Sequence, residues 1–313
     1  MMRTFVLTVT VNPAIDKVIK TRRFEIGQDN RVHFVFRSAG GKGINVSRAL
    51  SHLKVPTRAI GILAGPAGAY IRAVLEAENI KEDFLQIPGE SRTSMTVISP
   101  ATKQPTRILE PGPLLQSYHR RIFQKKYMRL AKNARWVIIS GRNALGAPDD
   151  FYRQLIRRAK QMKKRVILDT SGRPLKWGLQ ARPYMIKPNR QEAEELIGQP
   201  LASPRQWRRA LEILLDKGVE VVLISLGRAG AVASNGEEYW HVQPPAIRIV
   251  NSVGCGDAMI AGYVYARQQG ADFLEAVKLA VAAGTVNALH IQPGYLKRRP
   301  VLQMARLLTI KSL

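Results

Sequence analysis

From about residue 115 onward the sequence alternates between two hydrophobic periods with little to interrupt it. Apolar residues recur at helical spacing over 117 to 133, then run continuously through "WVIIS" at 136 to 140. Helical spacing returns over 150 to 164 and is followed by the runs "RVILD" and "YMIK". Helical patterns at 191 to 197 and 204 to 217 then lead into "VVLIS" at 221 to 225. Short continuous apolar runs suit strands buried on both faces, and their alternation with helices predicts an α/β fold with a doubly wound, mostly parallel sheet. Phe5 to Val11 reads as another such strand, and "INVSRALSHL", "TRAIGIL" and "AYIRAVLEAENI" read as helix, strand and helix. Asn235-Gly236, between "AVAS" and "EEYWHV", marks a hairpin, and two long apolar helices follow from Asp257 and Asp272.

Four segments do not fit this alternation. "VIKTRRF", "RVHFVF", "SMTVIS" and "TRIL" are short, partly alternating and separated by turn residues, as in a small sheet with one wet face. They fall in two excursions, 12 to 36 and 89 to 110, from a core made of 1 to 11, 37 to 88 and 111 to 313. Two excursions leaving the core near its beginning would build a β-sheet lid.

Composition narrows the functional classes. With 313 residues, 45% of them hydrophobic, the chain can bury a sizeable core, and disorder is not the expectation. No stretch of about 18 apolar residues is present, and the first residues lack the pattern of a secretory signal, so a soluble cytoplasmic protein is expected. The single cysteine, Cys255, excludes an intramolecular disulfide and a cysteine-based zinc site, and the five histidines show no metal-ligand spacing. The net charge of +26 raises the question of nucleic acid. The basic residues are nevertheless spread through helical segments such as "RRIFQKKYMRLAKNAR" and "RRAKQMKKR", where they read as solvated outer faces. A basic surface that also attracts anionic small molecules fits them better than a nucleic-acid site.

Two glycine-rich junctions can carry chemistry. In "NSVGCGDAMIAG", Gly254 and Gly256 flank Cys255 and are followed by Asp257 at the start of a long apolar helix. Successive backbone N–H groups there can form a nest for a phosphate or a developing anion, and the aspartate beside it can take a proton from a hydroxyl. An ordinary helix cap explains the same residues equally well. In "AGGKGINVSRAL", Gly40 and Gly41 allow a ligand to approach the backbone, Lys42 offers a positive charge, and Asn45 can hydrogen-bond a sugar hydroxyl in both directions. A tight turn with an exposed lysine is the plain alternative. A Walker loop is excluded by Phe36 and Gly43, and a dinucleotide fingerprint by Met259.

Both junctions occur in this order with lid segments on either side of the first, and in this the chain resembles the ribokinase-like, or phosphofructokinase B family, sugar kinases. The resemblance covers nearly the whole sequence: "AGGKGINVSRAL" is similar to the family's first signature and "NSVGCGDAMIAG" to its second. "KPNRQEAEEL" is similar to its Asn-x-x-Glu element at Asn189 and Glu192, and "SLGRAGA" to its nucleotide-side loop. The opening "TVTVNPAIDK" with "GESRTS", "LDTSG" and "IKPNRQE" resembles the hexose-phosphate branch, with Asp16, Arg31 and Arg92 as its stronger pointers.

The resemblance implies ATP and Mg²⁺ as cofactors, a sugar phosphate as acceptor, Asp257 as the catalytic base and the N–H groups of Gly254, Cys255 and Gly256 as an anion hole. An aspartate with a pKa near ~3.9 suffices, because a loose transition state releases the hydroxyl proton late. Asp16, Gly40, Gly41 and Asn45 would hold the sugar, and Arg31, Lys42 and Arg92 the phosphate already on it. Lys187, Asn189, Glu192, Ser225, Gly227, Gly230 and Asn287 would serve ATP and Mg²⁺, Glu192 acting on the metal through water. Fructose 1-phosphate is the first expectation for the acceptor, then tagatose 6-phosphate and fructose 6-phosphate. A silent, basic nucleic-acid-binding or regulatory protein is the alternative from another class. The family's usual Ser-Gly-Ser-Leu-Pro-Pro-Gly appears as "SGRNALG", with Arg142 in place of a small residue, and Ser94 stands where asparagine is common. Cys255 reads as a small side chain in a tight turn, or as a thiol activated by the helix N-terminus. An apolar face on the lid strands predicts a homodimer that covers it.

Overall fold

A computed structural model describes residues 4–101 and 106–313. In chain order the elements are β1 (Phe5–Thr10), β2 (Ala14–Lys20), β3 (Phe34–Gly40), α1 (Lys42–His52), β4 (Thr57–Ala64), α2 (Gly65–Ala77), β5 (Lys81–Glu82), β6 (Leu85–Ile87), β7 (Arg92–Ile98) and β8 (Thr106–Leu109). Then come α3 (Ser117–Ala131), β9 (Ala134–Ser140), α4 (Phe151–Gln161), β10 (Arg165–Asp169), α5 (Gly172–Leu179), β11 (Met185–Ile186), α6 (Arg190–Ile197), α7 (Pro204–Leu215) and β12 (Val221–Ser225). β13 (Ala231–Ser234), β14 (Tyr239–Gln243), α8 (Cys255–Gln268), α9 (Phe273–Asn287), α10 (Arg298–Ala305) and β15 (Thr309–Ser312) complete the chain.

The main sheet has the order β15-β14-β13-β12-β11-β10-β9-β1-β4-β5, with β6 also paired to β4. It is parallel from β12 across to β5 and antiparallel at the β13, β14 and β15 end. Strand β1 lies between β4 and β9, so the chain winds outward on one side and returns to start on the other. At such a reversal the connections leave a crevice at the carboxyl ends of the strands.

The strands are buried on both faces, as their continuous apolar runs require. One layer packs Leu7, Val9, Val137 and Ile139 against α3 to α7 through Phe123, Tyr127, Leu155, Ala193 and Leu211. The other packs Val6, Trp136 and Ile138 against α1, α8, α9 and α10 through Leu50, Tyr263, Ala280 and Val301. This is the doubly wound arrangement read from the sequence.

Helices α5 and α10 and strand β15 are additions to that reading. The α5 segment carries Pro174 in its first turn, where the missing N–H costs no hydrogen bond, and its eight residues show too short a pattern to separate from a loop. All four residues of β15 are exposed, so no alternation marks it.

The four segments outside the alternation form a second sheet, ordered β3-β2-β7-β8. Strands β2 and β3 pair antiparallel from Lys20↔Phe34 to Ala14↔Gly40, so β3 runs past residue 36, where the sequence reading divides lid from core. Strands β2 and β7 pair parallel, joining the two excursions. Asp16 therefore has Ser38 on one side and Ser94 on the other.

Candidate active site

A cleft of ≈ 1190 Å³ lies between the second sheet and the carboxyl ends of the core strands. Its floor is the start of α8. Gly254 caps that helix with φ 80°, a left-handed conformation that favours glycine, and an added Cβ would lie 2.8 Å from the Pro293 side chain. The first-turn amides that follow have no intrahelical partner and lie at the positive end of the helix dipole. Gly256 faces Lys187, whose Nζ would be 2.8 Å from an added Cβ, so a side chain there would displace the lysine.

Asp257 sits in that first turn, buried, and its Oδ2 accepts a 2.8 Å hydrogen bond from Asn45 Nδ2. Burial pushes its pKa up to about 7, helped by the neighbouring Asp169 and opposed by Lys42 and the Asn45 hydrogen bond. Desolvation thus gives the carboxyl a base strength suited to neutral pH, higher than the ordinary aspartate value assumed from sequence.

The second junction opens α1. Gly41 is its N-cap with φ 116°, and an added Cβ would meet Thr10 Cγ2 at 2.7 Å. A Cβ on Gly40 would fall 2.1 Å from Asp16 Cγ, so this glycine shapes the site through Asp16 without lining the cleft. If Asp16 holds the sugar, as the resemblance implies, Gly40→Ala is expected to push its carboxylate aside and raise the sugar KM about 10-fold or more, with the KM for nucleotide unchanged, as steady-state kinetics would show.

Lys42 reaches away from the second sheet. Its Nζ lies 3.0 Å from Asp169 Oδ1 and 3.9 Å from Glu192 Oε1. Burial works against its charge, but Asp169 and Glu192 outweigh it and hold the amine protonated. Asp169, fully buried at the end of β10, also has Lys187 Nζ at 3.6 Å. Burial alone would raise its pKa, yet the two lysines hold the carboxyl below the usual range. Its Oδ2 has no hydrogen-bond partner.

Beneath Asn45 lies Arg48, 1% exposed. Its guanidinium donates to Asn45 Oδ1 at 3.1 Å, to the carbonyls of Pro293 and Ala39 at 2.9 and 2.8 Å, and to Glu78 Oε2 at 2.8 Å. Because Asn45 Oδ1 accepts from Arg48, its amide nitrogen must face Asp257. The orientation of the Asn45 amide is thus fixed from below.

At the other end of the cleft, Asn189 caps α6: its Oδ1 accepts from Glu192 N, while Glu192 Oε2 accepts from Asn189 N, both at 2.9 Å. Glu192 Oε1 faces Lys42. Ser225 closes an isolated bridge with Asn189, and the turn at Gly227 to Gly230 uses positive φ at both glycines. A Cβ at Gly230 would come within 2.1 Å of the Val242 carbonyl.

Toward the second sheet the lining is Asp16 with Arg92, Arg107 and Arg142. Desolvation pushes the Asp16 pKa up to about 6 against the pull of Arg92, Arg48 and Arg107. Arg92 is held by Asn12 O at 3.2 Å and Ser94 Oγ at 3.1 Å.

Residues 9–297 match the pfkB family of carbohydrate kinases. The chain belongs to that family. Escherichia coli phosphofructokinase-2, solved with potassium, superposes with a TM-score of 0.90 at 26% identity over 97% of this chain and 99% of its own. A Thermotoga maritima protein provisionally assigned as a 1-phosphofructokinase gives 0.87 at 27% identity, over 99% of each chain. A Staphylococcus aureus protein assigned as a phosphofructokinase gives 0.83 at 30% identity, over 99% of each.

As a pfkB carbohydrate kinase the chain is a phosphotransferase with the ribokinase-like fold, in line with the resemblance carried by its motifs. The cleft gathers Asp16, Gly41, Lys42, Asn45, Arg92, Lys187, Asn189, Glu192, Ser225, Gly227, Gly230, Gly254, Cys255, Gly256 and Asp257. It does not gather Gly40, Arg31 or Asn287. Arg31 is exposed on the loop between β2 and β3, where its carbonyl accepts from Thr21 Oγ1. Asn287 is fully buried behind the wall, donating to Val253 O at 2.9 Å and accepting from Gly294 N at 2.7 Å. Its amide is spent holding two site loops together.

Asp169, Arg48 and Arg107 were missed as site residues in the sequence. The signals were weak: a carboxylate ending a parallel strand, an arginine on the buried face of a helix, and one more basic residue in a basic chain. Cys255 is half-buried at the first position of α8. Burial raises its thiol pKa, an Asn287 hydrogen bond opposes the effect and Asp257 adds to it, which favours the small turn side chain over an activated thiol. Iodoacetamide at pH 7.5 is expected to alkylate Cys255 more slowly than a free peptide thiol, followed by mass spectrometry.

Proposed function

We propose that the chain transfers the γ-phosphoryl group of ATP to a hydroxyl of a ketohexose phosphate, with fructose 1-phosphate as the first acceptor to test and tagatose 6-phosphate and fructose 6-phosphate next. The observation that carries this reading is the single cleft in which a buried carboxylate of raised pKa, Asp257, stands at a helix N-terminus between an arginine-lined end and a lysine-lined end. A phosphorylated acceptor suits the arginines, and family membership supplies the reaction type.

The residues present fit the nucleotide and its metal. Asp169 Oδ2 is a buried, unpartnered carboxylate oxygen, and Glu192 Oε1 is free of the capping box. No cluster of three or more metal-binding side chains is found among the described residues. Mg²⁺ is bound by one or two carboxylates together with nucleotide phosphates and water, and the carboxylates of Asp169 and Glu192 could serve it. ATP would supply the phosphoryl group and Mg²⁺ charge neutralisation. Lys187 would hold the phosphates, with the Gly227 to Gly230 turn beneath the nucleotide.

The chain's own residues then act as follows. Asp16 accepts from sugar hydroxyls and fixes the ring. Asp257 accepts the proton of the reacting hydroxyl, with Asn45 orienting its carboxylate. The first-turn amides of α8 face the negative charge on the moving group and need not reorganise, because the helix already fixes them. Positioning and charge stabilisation account for most of phosphoryl-transfer catalysis, and the cleft supplies both.

A coupled ADP-release assay over the three ketohexose phosphates, fructose and ribose tests this. Preference for an unphosphorylated sugar would overturn the acceptor. No turnover on any of them, with salt-resistant binding to random DNA, would favour the nucleic-acid reading. We place the enzyme in the cytoplasm as a homodimer. Val35 and Ile108, 46% and 51% exposed, lie on the face of the second sheet opposite Asp16 and support an interface there, which light scattering would test. No helix of the described residues is long and apolar enough to cross a membrane.

A further inference from the structure

Arg142 stands on the loop that leaves β9, and that loop is pinned at its start. Gly141 N donates to Asp169 O at 2.9 Å, and Thr170 Oγ1 donates to Gly141 O at 2.8 Å. The buried Tyr152 hydroxyl lies within reach of both the Gly141 and Arg142 carbonyls, at 3.2 and 3.1 Å. One residue on, Asn143 O accepts from Asn12 Nδ2 at 3.4 Å, and Asn12 O accepts from Arg92 Nε at 3.2 Å. Asn12 thus bridges the loop to Arg92, and Arg142 lines the cleft beside that guanidinium.

The local charge is unbalanced. Arg92, Arg107 and Arg142 face one carboxylate of the cleft lining, Asp16, with Glu110 near Arg92 outside it, and among the described residues none of the three forms an ion pair. Burial weakens the hold of Arg92 on its proton, Asp16 and Glu110 oppose the effect, and the like charge of Arg142 adds to it. The lysines of the cleft lie at its far end, beside Asp169. Guanidiniums gathered at one end of a cleft, without an ion pair among the described residues, are complementary to a compact dianion, which each arginine can grip with two N–H groups.

Building on the acceptor reading above, we propose that Arg142 is a specificity-determining residue: its guanidinium joins those of Arg92 and Arg107 on the phosphate that the sugar already carries. It thereby makes the site select phosphorylated over unphosphorylated sugars. Asp16, left without an ion pair, remains available to the hydroxyls.

The test compares the wild-type enzyme with Arg142→Ala and Arg142→Lys, and with Arg121→Ala on the exposed side of α3 as a control. For Arg142→Ala the KM for fructose 1-phosphate should rise about 10- to 100-fold, the loss of a charge-assisted contact. The KM for ATP should stay within about 2-fold, and the kcat/KM ratio of fructose 1-phosphate to fructose should fall by a similar factor. Arg142→Lys should recover part of the loss, and Arg121→Ala should match the wild type. An unchanged KM for fructose 1-phosphate in Arg142→Ala overturns the inference while leaving the kinase reading intact. If the wild type phosphorylates none of the ketohexose phosphates, the acceptor reading fails instead. Calorimetric binding of fructose 1-phosphate without nucleotide still decides on Arg142: weaker binding by Arg142→Ala supports its role, and equal or absent binding by both proteins overturns it.

Discussion

Replacing Asp257 by asparagine is expected to lower kcat by about 10²- to 10⁴-fold, because on the proposed mechanism the reacting hydroxyl then has no base to receive its proton. The shape is preserved and the charge removed, so the KM for either substrate should change far less. The wild-type rate should also depend on pH in a defined direction. With the carboxyl titrating at about 7, kcat/KM should fall as pH drops through that value, and the residual activity of Asp257→Asn should lose that limb. Stability runs the other way. A carboxyl whose folded pKa lies above its unfolded one stabilises the fold at acid pH, and the contribution disappears as pH rises through the folded value. Asp257→Asn should therefore melt above the wild type at pH 8, and the gap should close toward pH 4. A variant that melts lower than the wild type at pH 8 would show that the ionised carboxylate is not a burden on the fold.

The second large effect is expected at Arg48. Arg48→Met keeps the bulk but leaves the Glu78 carboxylate, the Asn45 oxygen and two backbone carbonyls without their donor. Removing one partner of a buried ion pair costs about 3 to 5 kcal/mol. Glu78 is 22% exposed and keeps its bond from Gln292 Nε2, which places the loss near the lower bound, about 3 kcal/mol. Urea denaturation should show a lower midpoint at unchanged slope. Even where the variant folds, the Asn45 amide can turn over, and the acid limb of the pH profile should move. Glu78→Gln should cost less, because the arginine keeps its contacts to Asn45, Pro293 and Ala39.

These two sites show what the sequence makes legible. Asp257 was readable because glycine, helix start and acidic residue are local chemistry compressed into a few adjacent positions, and the same holds for Gly41 and for the Asn189 and Glu192 capping pair. The parallel sheet was readable because burial on both faces leaves continuous apolar runs. Arg48 was not, because its partners come from Asn45, Glu78 and the Pro293 loop, 3, 30 and 245 positions away. Lys42 shows the same limit in reverse. Its place in a glycine turn is local and legible, but its partner Asp169 arrives at the end of β10, and distance along the chain hides that meeting. Arg31 carried a family expectation onto a loop that, in this structure, stays outside the cleft.

The parallel pairing of β2 with β7 has a consequence for how the enzyme comes into being. The two strands are joined residue by residue from Ala14↔Arg92 to Lys20↔Ile98, with α1, β4 and α2 lying between them in the chain. No hairpin can bring them together, and the loop between them closes cheaply only once the intervening elements have docked. The arginine-lined end of the cleft is therefore expected to assemble late. A chain still emerging from synthesis or recovering from heat would acquire its core before it acquires the arginine-lined wall, and a half-folded kinase would have no grip on a sugar phosphate. The same strands should be the first to exchange their amide hydrogens and the first to open on warming. In this molecule, loss of substrate recognition should precede loss of the fold.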